Sequence, residues 1–222
     1  MDAVVFAAAH LVPTRRLRAR LAMLEQPFIV AADGGAETAL AFGCQPDLVL
    51  GDFDSLSQAT LADLRRRGVA IETYPRDKDA TDGQLALERA LQVKPARLLL
   101  VGFLGGPRLD QATANLLLLL NLDVAATLVD AANEATLVRP GVPIVWRPEP
   151  GEVVSLIPLQ GDAEDVTTEG LRWPLCHERL PLGSTRGISN EPLAAMVGVS
   201  LGRGTLLLTR YFSEEASAEA PV

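Results

Sequence analysis

Aspartate-rich turns mark the first half of this chain. Asp52 and Asp54 stand two residues apart, and Asp79 and Asp82 stand three apart. Because side chains two apart in an extended chain share a face, the carboxylates of Asp52 and Asp54 are predicted to converge, with Phe53 turned into the core. Asp79 and Asp82, at the start of a helix, are close enough to do the same. Carboxylates that share a cleft repel each other unless a cation neutralises them, and Mg²⁺ prefers such oxygen ligands.

Positively charged side chains and glycines accompany these aspartates. Arg108 can clamp a phosphate through two hydrogen bonds, and Lys78 can offset phosphate charge. Gly105 and Gly106 allow backbone amides to approach phosphate oxygens before the next helix begins. The chain therefore has the parts of a site for a Mg²⁺–polyphosphate complex, although it has no P-loop sequence. The other candidates at these turns are Asp33, Gly34, Gly35 and Asp110.

Each turn also has a purely structural interpretation. Residues 33–35 alone are more typical of a turn than of a site. Asp54 or Ser57 can cap the next helix, and Thr81 with Gln84 forms a capping box. Four such turns at successive strand ends are hard to explain as caps alone, so the site interpretation is favoured.

The elements that must position these turns alternate between short apolar segments and helical patterns. Such alternation predicts βαβ units and a mostly parallel sheet covered on both faces. Ligands bind beyond the carboxyl ends of the strands in open parallel sheets, so the four turns are expected to meet along one edge. The predicted strands are Val4–Ala8, Phe28–Ala32, Leu48–Leu50, Val69–Thr73, Arg97–Val101 and Ala125–Val129. The predicted helices lie near Thr14–Leu24, Ala36–Phe42, Gln58–Arg67, Asp82–Leu91 and Gln111–Leu120.

The pattern changes after about Asn133, where proline and glycine become frequent and strand-like segments such as Glu152–Ile157 and Thr205–Tyr211 follow. This change predicts a second, β-rich domain, either a small sandwich or a barrel. We therefore expect an α/β domain over residues 1–132, a β domain over 133–212 and a disordered tail over 213–222.

The composition excludes several classes of protein. The chain has 222 residues, of which 48% are hydrophobic, so it can bury a sizeable core. Its formal charge of −8 argues against nucleic acid as a partner, and the basic run from Arg15 to Arg20 is interpreted as a solvated helix face. Two distant cysteines, Cys44 and Cys176, argue against a disulfide-stapled secreted fold. No apolar run reaches the roughly 20 residues of a membrane helix, so we expect a soluble cytoplasmic protein with no membrane partner.

The turns resemble the sequential motifs of the thiamine pyrophosphokinase family, and segments of the second half resemble that family's C-terminal signatures. Each motif is moderately specific, but seven in the expected order are a specific signal, which covers about residues 4 to 211. The motifs are Ala32-Asp33-Gly34-Gly35-Ala36, Gly51-Asp52-Phe53-Asp54-Ser55, Lys78-Asp79-Ala80-Thr81-Asp82, Gly105-Gly106-Pro107-Arg108-Leu109-Asp110, Val154-Ser155-Leu156-Ile157-Pro158-Leu159, Gly170-Leu171-Arg172-Trp173-Pro174-Leu175 and Gly187-Ile188-Ser189-Asn190-Glu191.

The resemblance implies a Rossmann-like, mostly parallel α/β catalytic domain, followed by a small all-β sandwich domain that binds thiamine, in a homodimer. It implies that the hydroxyl of thiamine attacks the β-phosphorus of ATP to give thiamine diphosphate and AMP. Mg²⁺ would be held by Asp52, Asp54 and either Asp79 or Asp82. Asp110 would orient the attacking hydroxyl or bind the metal. The residues that would bind ATP are Asp33, Gly34, Gly35, Lys78, Gly105, Gly106 and Arg108.

The cationic thiazolium of thiamine suits an aromatic face, in a contact of about 0.5–2 kcal/mol. Trp173 lies in a family motif and is the candidate for this stacking, with packing in the β core as the equal alternative. Ser189 and Asn190 offer polar groups to the substrate, or they serve as turn residues.

Three positions depart from the family pattern. Gln111 stands where the family has histidine, Gln84 stands where it has glutamate, and residues 7–10 lack a glycine-containing turn. Two other functions are therefore considered. One is diphosphate transfer to another small alcohol such as a hydroxymethylpterin, which the C-terminal motifs oppose. The other is a non-catalytic thiamine or nucleotide sensor, which the intact aspartates oppose.

Overall fold

The computed structural model describes residues 1–7, 11–104 and 106–213, and this part of the chain divides into two compact units. The first is Met1–Ala131 and the second begins at Ala132, one residue before the start expected from the sequence. Ala8, Ala9, His10, Gly105 and residues 214–222 of the expected tail lie outside the described residues. None of the described helices combines the length and the apolar character needed to cross a membrane.

The first unit alternates strands and helices as the sequence predicts. The strands are β1 (Ala3–Phe6), β2 (Phe28–Ala32), β3 (Leu48–Gly51), β4 (Ala70–Thr73), β5 (Arg97–Val101) and β6 (Ala125–Val129). The helices are α1 (Arg15–Ala22), α2 (Gly35–Ala41), α3 (Gln58–Arg66), α4 (Asp82–Leu91) and α5 (Leu109–Leu118). Three of the six strands and one helix have the predicted bounds, and most other ends differ by one or two residues. One larger consequence is that α5 begins at Leu109 and not at Gln111, so Asp110 falls in its first turn.

These six strands run parallel in the order β4-β3-β2-β1-β5-β6, which confirms the Rossmann-like α/β fold. The chain moves outward from β1 to β4 on one side and then returns to the other side of β1 with β5. Ligands of such sheets bind beyond the carboxyl ends of the strands near this reversal. Every residue of β1 is buried, as expected for the centre of a sheet covered on both faces.

Side-chain caps fix where the helices of the first unit begin. The Ser57 hydroxyl accepts from the Thr60 amide at 3.0 Å, and the Thr81 hydroxyl accepts from the Gln84 amide at 3.2 Å. The predicted caps at Ser57 and Thr81 are therefore confirmed, whereas the side chain of Gln84, the expected second half of the capping box, donates to Glu88 at 3.0 Å. The solvated face expected for the basic run is wrong at Arg16, which is 6% exposed and whose Nη2 donates to the Asp130 carbonyl at 2.5 Å.

The second unit is a β-sandwich. Its strands are β7 (Asn133–Val138), β8 (Ile144–Trp146), β9 (Val153–Pro158), β10 (Ala163–Glu169), β11 (Glu178–Leu180), β12 (Val197–Ser200) and β13 (Leu206–Tyr211). Strands β7, β13 and β9 pair antiparallel in that order, and the other four form an antiparallel sheet in the order β11-β10-β12-β8. Buried side chains from both sets, such as Leu156, Leu208, Val166 and Val199, form one core. Of the two architectures predicted for the second unit, the sandwich is therefore confirmed and the barrel is not.

A buried charge network spans the three-stranded part of the sandwich. Arg210 places Nε and Nη2 each 2.7 Å from the carboxylate oxygens of Glu152, and its Nη1 lies 3.0 Å from Glu134 Oε2. All three side chains are buried. The Arg210 guanidinium also lies 5.3 Å from the ring centroid of Trp146, whose Nε1 donates to Glu152 at 2.8 Å. Both buried carboxylates therefore share the Arg210 guanidinium as a hydrogen-bonded counter-charge, which offsets part of the cost of burying them.

Candidate active site

Three aspartates converge at the carboxyl ends of β2 and β3. One carboxylate oxygen each from Asp33, Asp52 and Asp54 lies within 4.8 Å of the others. The strands explain the meeting, because β2 and β3 are parallel neighbours with Ala32 in register with Leu50, so the turns that follow them emerge side by side. The structure thus joins Asp33, expected from the sequence among the ATP-binding residues, to two of the expected metal ligands.

Asp33 is the buried member of the cluster. It is 6% exposed, and its Oδ2 accepts a hydrogen bond from the Ser55 hydroxyl, whose oxygen accepts from the Gly34 amide at 3.3 Å. Its Oδ1 is buried and has no hydrogen-bond partner among the described residues. Burial raises the pKa of Asp33, and the negative charges of Asp54 and Asp52 raise it further, against the opposing hydrogen bonds from Ser55. A cation would relieve both the burial and the repulsion.

The route by which Asp52 and Asp54 converge differs from the sequence prediction. The segment is not extended, because Phe53 has φ +60°, a left-handed conformation that is unusual for a bulky residue. Phe53 still packs against the core of the first unit, as expected. The backbone therefore turns sharply between the two aspartates while the aromatic ring anchors the turn. Such strained residues concentrate at functional sites.

Asp82 lies beside this cluster at the first position of α4. A Cβ on Gly51 would lie 3.3 Å from Asp82 Oδ1 and 3.1 Å from Asp33 Cβ, so both aspartates flank the same backbone position. Asp82 Oδ1 is also 2.9 Å from Lys78 Nζ. Asp79 is exposed and, like Asp82, is not in the group of three. Asp82 Oδ1 therefore lies next to Gly51 and pairs with Lys78, and the convergence of Asp79 with Asp82 stays a prediction.

Arg108 and Asp110 form an ion pair at the start of α5. Arg108 Nε donates to Asp110 Oδ1 at 3.0 Å, and Nη2 donates to Oδ2. This pairing lowers the pKa of Asp110 and raises that of Arg108. Both side chains are more than 60% exposed. Gly106 is exposed with φ +80° and open space at its Cβ position, and Gly105 lies outside the described residues. An incoming anion could therefore reach Arg108 by displacing Asp110.

The glycines that follow β2 have a packing role. A Cβ on Gly35 would overlap the backbone carbonyl of Phe6 and crowd that of Ala7, so only glycine lets α2 begin this close to the end of β1. Gly34 is the residue before the helix, and its amide contacts Ser55. The close packing of α2 against the end of β1 therefore explains why residue 35 is a glycine, without any contact to a nucleotide.

The second unit presents Trp173 on its surface. Trp173 is 54% exposed, so the alternative that it packs in the β core is excluded. Asn190 Oδ1 accepts from the Trp173 amide at 3.1 Å, and Asn190 Nδ2 donates to the Trp173 carbonyl at 2.7 Å. Ser189 is exposed with φ +63°, and its amide donates to the Ser155 hydroxyl at 3.1 Å. The structure thus brings together Trp173 and Asn190, with Ser189 adjacent in the chain.

Sequence comparisons cover both units. The sequence model described as "Thiamin pyrophosphokinase, catalytic domain" matches residues 19–129, and "Thiamin pyrophosphokinase, vitamin B1 binding domain" matches residues 143–206. A thiamine pyrophosphokinase from Bacillus subtilis is 31% identical over 189 residues, which are 84% of this chain and 88% of that protein. The chain belongs to the thiamine pyrophosphokinase family.

Solved structures of other thiamine pyrophosphokinases have the same fold. The thiamine pyrophosphokinase from Bacillus subtilis matches with a TM-score of 0.85 at 26% identity, covering 96% of this chain and 100% of that one. The thiamin pyrophosphokinase from Geobacillus thermodenitrificans matches with a TM-score of 0.83 at 28% identity, covering 97% and 100%.

Several residues of this thiamine pyrophosphokinase fold were not selected as site residues from the sequence. Ser55 orients Asp33, and Asn115 on α5 donates to the Phe103 carbonyl at 2.8 Å, which fixes the turn after β5. Arg172 and Glu191 pair beside Trp173. Ser55, Arg172 and Glu191 occupy family motifs, which is the signal that marks them, whereas no sequence signal marks Asn115.

The residues present fit a Mg²⁺ ion. Octahedral Mg²⁺ with ligands at about 2.1 Å places opposite oxygens about 4.2 Å apart. One oxygen from each carboxylate of the cluster lies within 4.8 Å of the other two, so small side-chain movements would bring the three oxygens within the roughly 4.2 Å that ligands of one ion can span. The unpartnered Oδ1 of Asp33 supports the fit, because buried carboxylate oxygens without a donor are otherwise costly.

Proposed function

We propose that this protein transfers a diphosphate group from ATP to the hydroxyl of thiamine, giving thiamine diphosphate and AMP, with Mg²⁺ bound by its aspartate cluster. The observation that carries the proposal is the cluster of Asp33, Asp52 and Asp54 within the segment that matches the catalytic domain. Charge neutralisation and positioning are what phosphoryl-type transfer requires from a protein. The cluster with its Mg²⁺ supplies the charge neutralisation, and the surrounding turns supply the positioning.

Asp52 and Asp54 are the principal metal ligands in this proposal, and Asp33 completes the set. Asp82 remains a candidate ligand because it lies beside Gly51, and Asp79 remains one because it belongs to the same turn. Bound Mg²⁺ would offset the negative charge of the polyphosphate. Lys78 forms an ion pair with Asp82 in this structure. When Asp82 turns to the metal, the Lys78 ammonium can pair with a phosphate instead.

The turn that leads into α5 is proposed to hold the phosphates. Arg108 exchanges Asp110 for a phosphate group, with two of whose oxygens it can make the same bidentate contact. Asp110, released from Arg108, would then accept a hydrogen bond from the hydroxyl of thiamine and orient it. Its position outside the group of three supports this role over metal binding. The amides that follow Gly105 and Gly106, at the start of the helix, would complete the phosphate contacts.

Thiamine is proposed to bind to the second unit through Trp173. The exposed indole suits the cationic thiazolium. Ser189 can offer its hydroxyl, whereas Asn190 has only one N–H left after its bonds to the chain around Trp173. A groove of about 560 Å³ in the same unit, lined by residues that include Glu191, Pro192 and Leu193, has the size of a small-molecule site.

A homodimer in the cytoplasm is also proposed. Large apolar side chains of the second unit are exposed, among them Val142 at 62%, Val145 at 61% and Leu193 at 71%, which supports a partner on this unit. Cys44 and Cys176 are both free, and free thiols are stable in a reducing compartment.

The test is a product analysis. Purified protein is incubated with Mg²⁺–ATP and either thiamine or a hydroxymethylpterin, and the nucleotides and acceptor products are separated. Diphosphate transfer releases one AMP for each thiamine diphosphate, so equal amounts of the two are expected with thiamine alone. ADP with thiamine monophosphate would contradict the proposed reaction, and AMP only with the pterin would contradict the acceptor.

Asp54→Asn is the matched variant for this assay. The variant should lose most turnover, because a metal ligand is missing. Because Asp54 is exposed, the melting temperature of the variant should stay at or above that of wild type. Asp123→Asn removes an equally exposed carboxylate outside the cluster and should keep wild-type turnover. Full activity in Asp54→Asn would exclude Asp54 from the metal site.

A further inference from the structure

We propose that Arg172, Asn190 and Glu191 are positioning residues, which hold Trp173 so that a single face of its indole is presented to a cationic ring. The inference rests on the proposed binding of thiamine by Trp173 and deepens it. Arg172 covers one face, Glu191 neutralises the charge of Arg172, and Asn190 holds the loop. Each role follows from contacts within the second unit.

Asn190 fixes the backbone around the indole. Its Oδ1 accepts from the amides of Trp173, at 3.1 Å, and Glu191, at 2.9 Å, while its Nδ2 donates to the Trp173 carbonyl at 2.7 Å. Asn190 is itself anchored, because its amide and carbonyl both pair with Val154 at 2.8 Å. One side chain thus ties the loop of Trp173 to the edge of β9, and little of its hydrogen-bonding capacity remains for a ligand.

Arg172 occupies one face of the indole. Its guanidinium carbon lies 5.1 Å from the centroid of the Trp173 ring, within the range of a cation–π contact. The backbone amide of Arg172 donates to the Glu191 carbonyl at 2.8 Å, which keeps the arginine beside the loop. Trp173 is nevertheless 54% exposed, so ample surface of the indole remains available for a second ring.

Glu191 balances the charge that Arg172 brings. Arg172 Nη1 donates to Glu191 Oε2 at 2.8 Å, and the two side chains are 53% and 47% exposed. Without Glu191, a positive guanidinium on one face of the indole would repel a positive ring on the other. With Glu191, the pair is neutral, and the cation-binding character of the open face is retained.

The loss of affinity caused by a substitution at Glu191 should therefore depend on the charge of the ligand. Glu191→Gln should weaken binding of thiamine, whose thiazolium is positive, about three- to tenfold. Binding of uncharged 5-(2-hydroxyethyl)-4-methylthiazole should change less than about twofold. Because the ion pair is partly exposed, 0.5 M KCl should reduce the difference between the two ligands.

The experiment measures both ligands by calorimetry on the full chain, with KM for thiamine, KM for ATP and kcat as kinetic readouts. The double variant Arg172→Gln/Glu191→Gln removes both charges and should restore thiamine affinity to within about twofold of wild type, since no guanidinium is then left to neutralise. KM for ATP should stay unchanged throughout. Asn190→Ala should weaken both ligands by the same factor, because it releases the loop without changing charge.

Arg179→Gln serves as the control. Arg179 forms an ion pair with Asp162 in the same unit at 65% exposure, away from Trp173 in the contacts of the described residues, and its loss should leave both affinities at the wild-type value. Equal weakening of both ligands by Glu191→Gln, or no recovery in the double variant, would overturn the inference.

Trp173→Leu, which removes the aromatic face, separates this inference from the proposed function. If Trp173→Leu weakens thiamine binding while Glu191→Gln does not, the role of Trp173 stands and the positioning roles are wrong. If Trp173→Leu binds thiamine as wild type does, the proposed role of Trp173 fails and the inference fails with it.

Discussion

Replacing Asp33 by asparagine should have opposite effects on the stability of the metal-free and Mg²⁺-bound protein. Asparagine has nearly the same shape and can still accept the hydrogen bond from Ser55, so the turn is preserved. What it removes is a buried negative charge that faces Asp52 and Asp54. Without metal, that charge lowers the free energy of unfolding. With Mg²⁺ bound, the same carboxylate is a ligand of the ion.

The size of the effect follows from the geometry. Two unit charges 4.8 Å apart repel by about 3.5 kcal/mol at an effective dielectric constant of 20 and by about 0.9 kcal/mol in bulk water. Asp54 is exposed and Asp52 is partly exposed, so the lower figure applies to each pair more closely. We expect Asp33→Asn to raise the free energy of unfolding of the metal-free protein by about 1–2 kcal/mol, which corresponds to about 2–8 °C in melting temperature.

The pH dependence has a definite sign. Because the pKa of Asp33 is raised in the folded state, its ionisation costs stability as the pH rises above the unfolded value of about 3.9. The stability advantage of Asp33→Asn should therefore grow as the pH rises above about 3.9 and shrink as the pH is lowered towards that value.

The assay is thermal unfolding of wild type, Asp33→Asn and the control Asp123→Asn, each in EDTA and in MgCl₂. Ligand at a hundred times its dissociation constant stabilises a protein by about 2.7 kcal/mol, so wild type should gain several degrees from Mg²⁺. Asp33→Asn should lose most of this gain. A variant less stable than wild type in EDTA, or one that keeps the full Mg²⁺ shift, would refute the assignment of Asp33 as a repelled, buried metal ligand.

Gln111→His should change kcat by less than about tenfold, or about 1.4 kcal/mol of barrier, because Gln111 is exposed and the aspartates around it are retained. Steady-state kinetics test this prediction. It would be contradicted if the wild type bound both substrates without turnover and the Gln111→His variant were active. Asp2→Asn removes a carboxylate whose pKa is held low chiefly by hydrogen bonds from Arg97, against the effect of burial. The stability that Asp2 adds should be present above about pH 3.9 and lost as the pH falls through its lower folded pKa, so the melting temperatures of wild type and variant should converge in acid; a constant difference from pH 7 to pH 2 would exclude the pair as the cause. Light scattering should give a mass of twice 23.6 kDa, and a monomer mass at all micromolar concentrations would end the homodimer proposal.

The sequence predicts best what local patterns determine. The strands Phe28–Ala32, Arg97–Val101 and Ala125–Val129 have the predicted ends, since apolar runs bounded by turn residues define them. Ser57 and Thr81 cap helices as their positions suggest. The strands β7, β8, β10, β11 and β12 were not predicted individually, because short segments of mixed polarity carry a weak periodic signal.

The membership of the carboxylate cluster could not be read from spacing. Asp33 lies close to Asp52 because β2 and β3 are neighbours in register, which is a property of the sheet and not of either turn. The kink at Phe53 was likewise hidden, since the sequence gives no reason to expect a left-handed phenylalanine. The exposure of Trp173 depends on how Asn190 ties down its loop, a contact over seventeen residues that only the fold reveals.

The buried network of Arg210, Glu152 and Glu134 limits how this chain can change over evolutionary time. Removing Arg210 leaves two buried carboxylates without their shared counter-charge, at a cost of about 3–5 kcal/mol, which is a large part of the 5–15 kcal/mol that stabilises a typical domain. Replacing all three by apolar residues of similar volume would carry little such cost. A single change that removes Arg210 is therefore blocked while a concerted exchange of all three residues is open, so related sequences that lose Arg210 should also lose both glutamates.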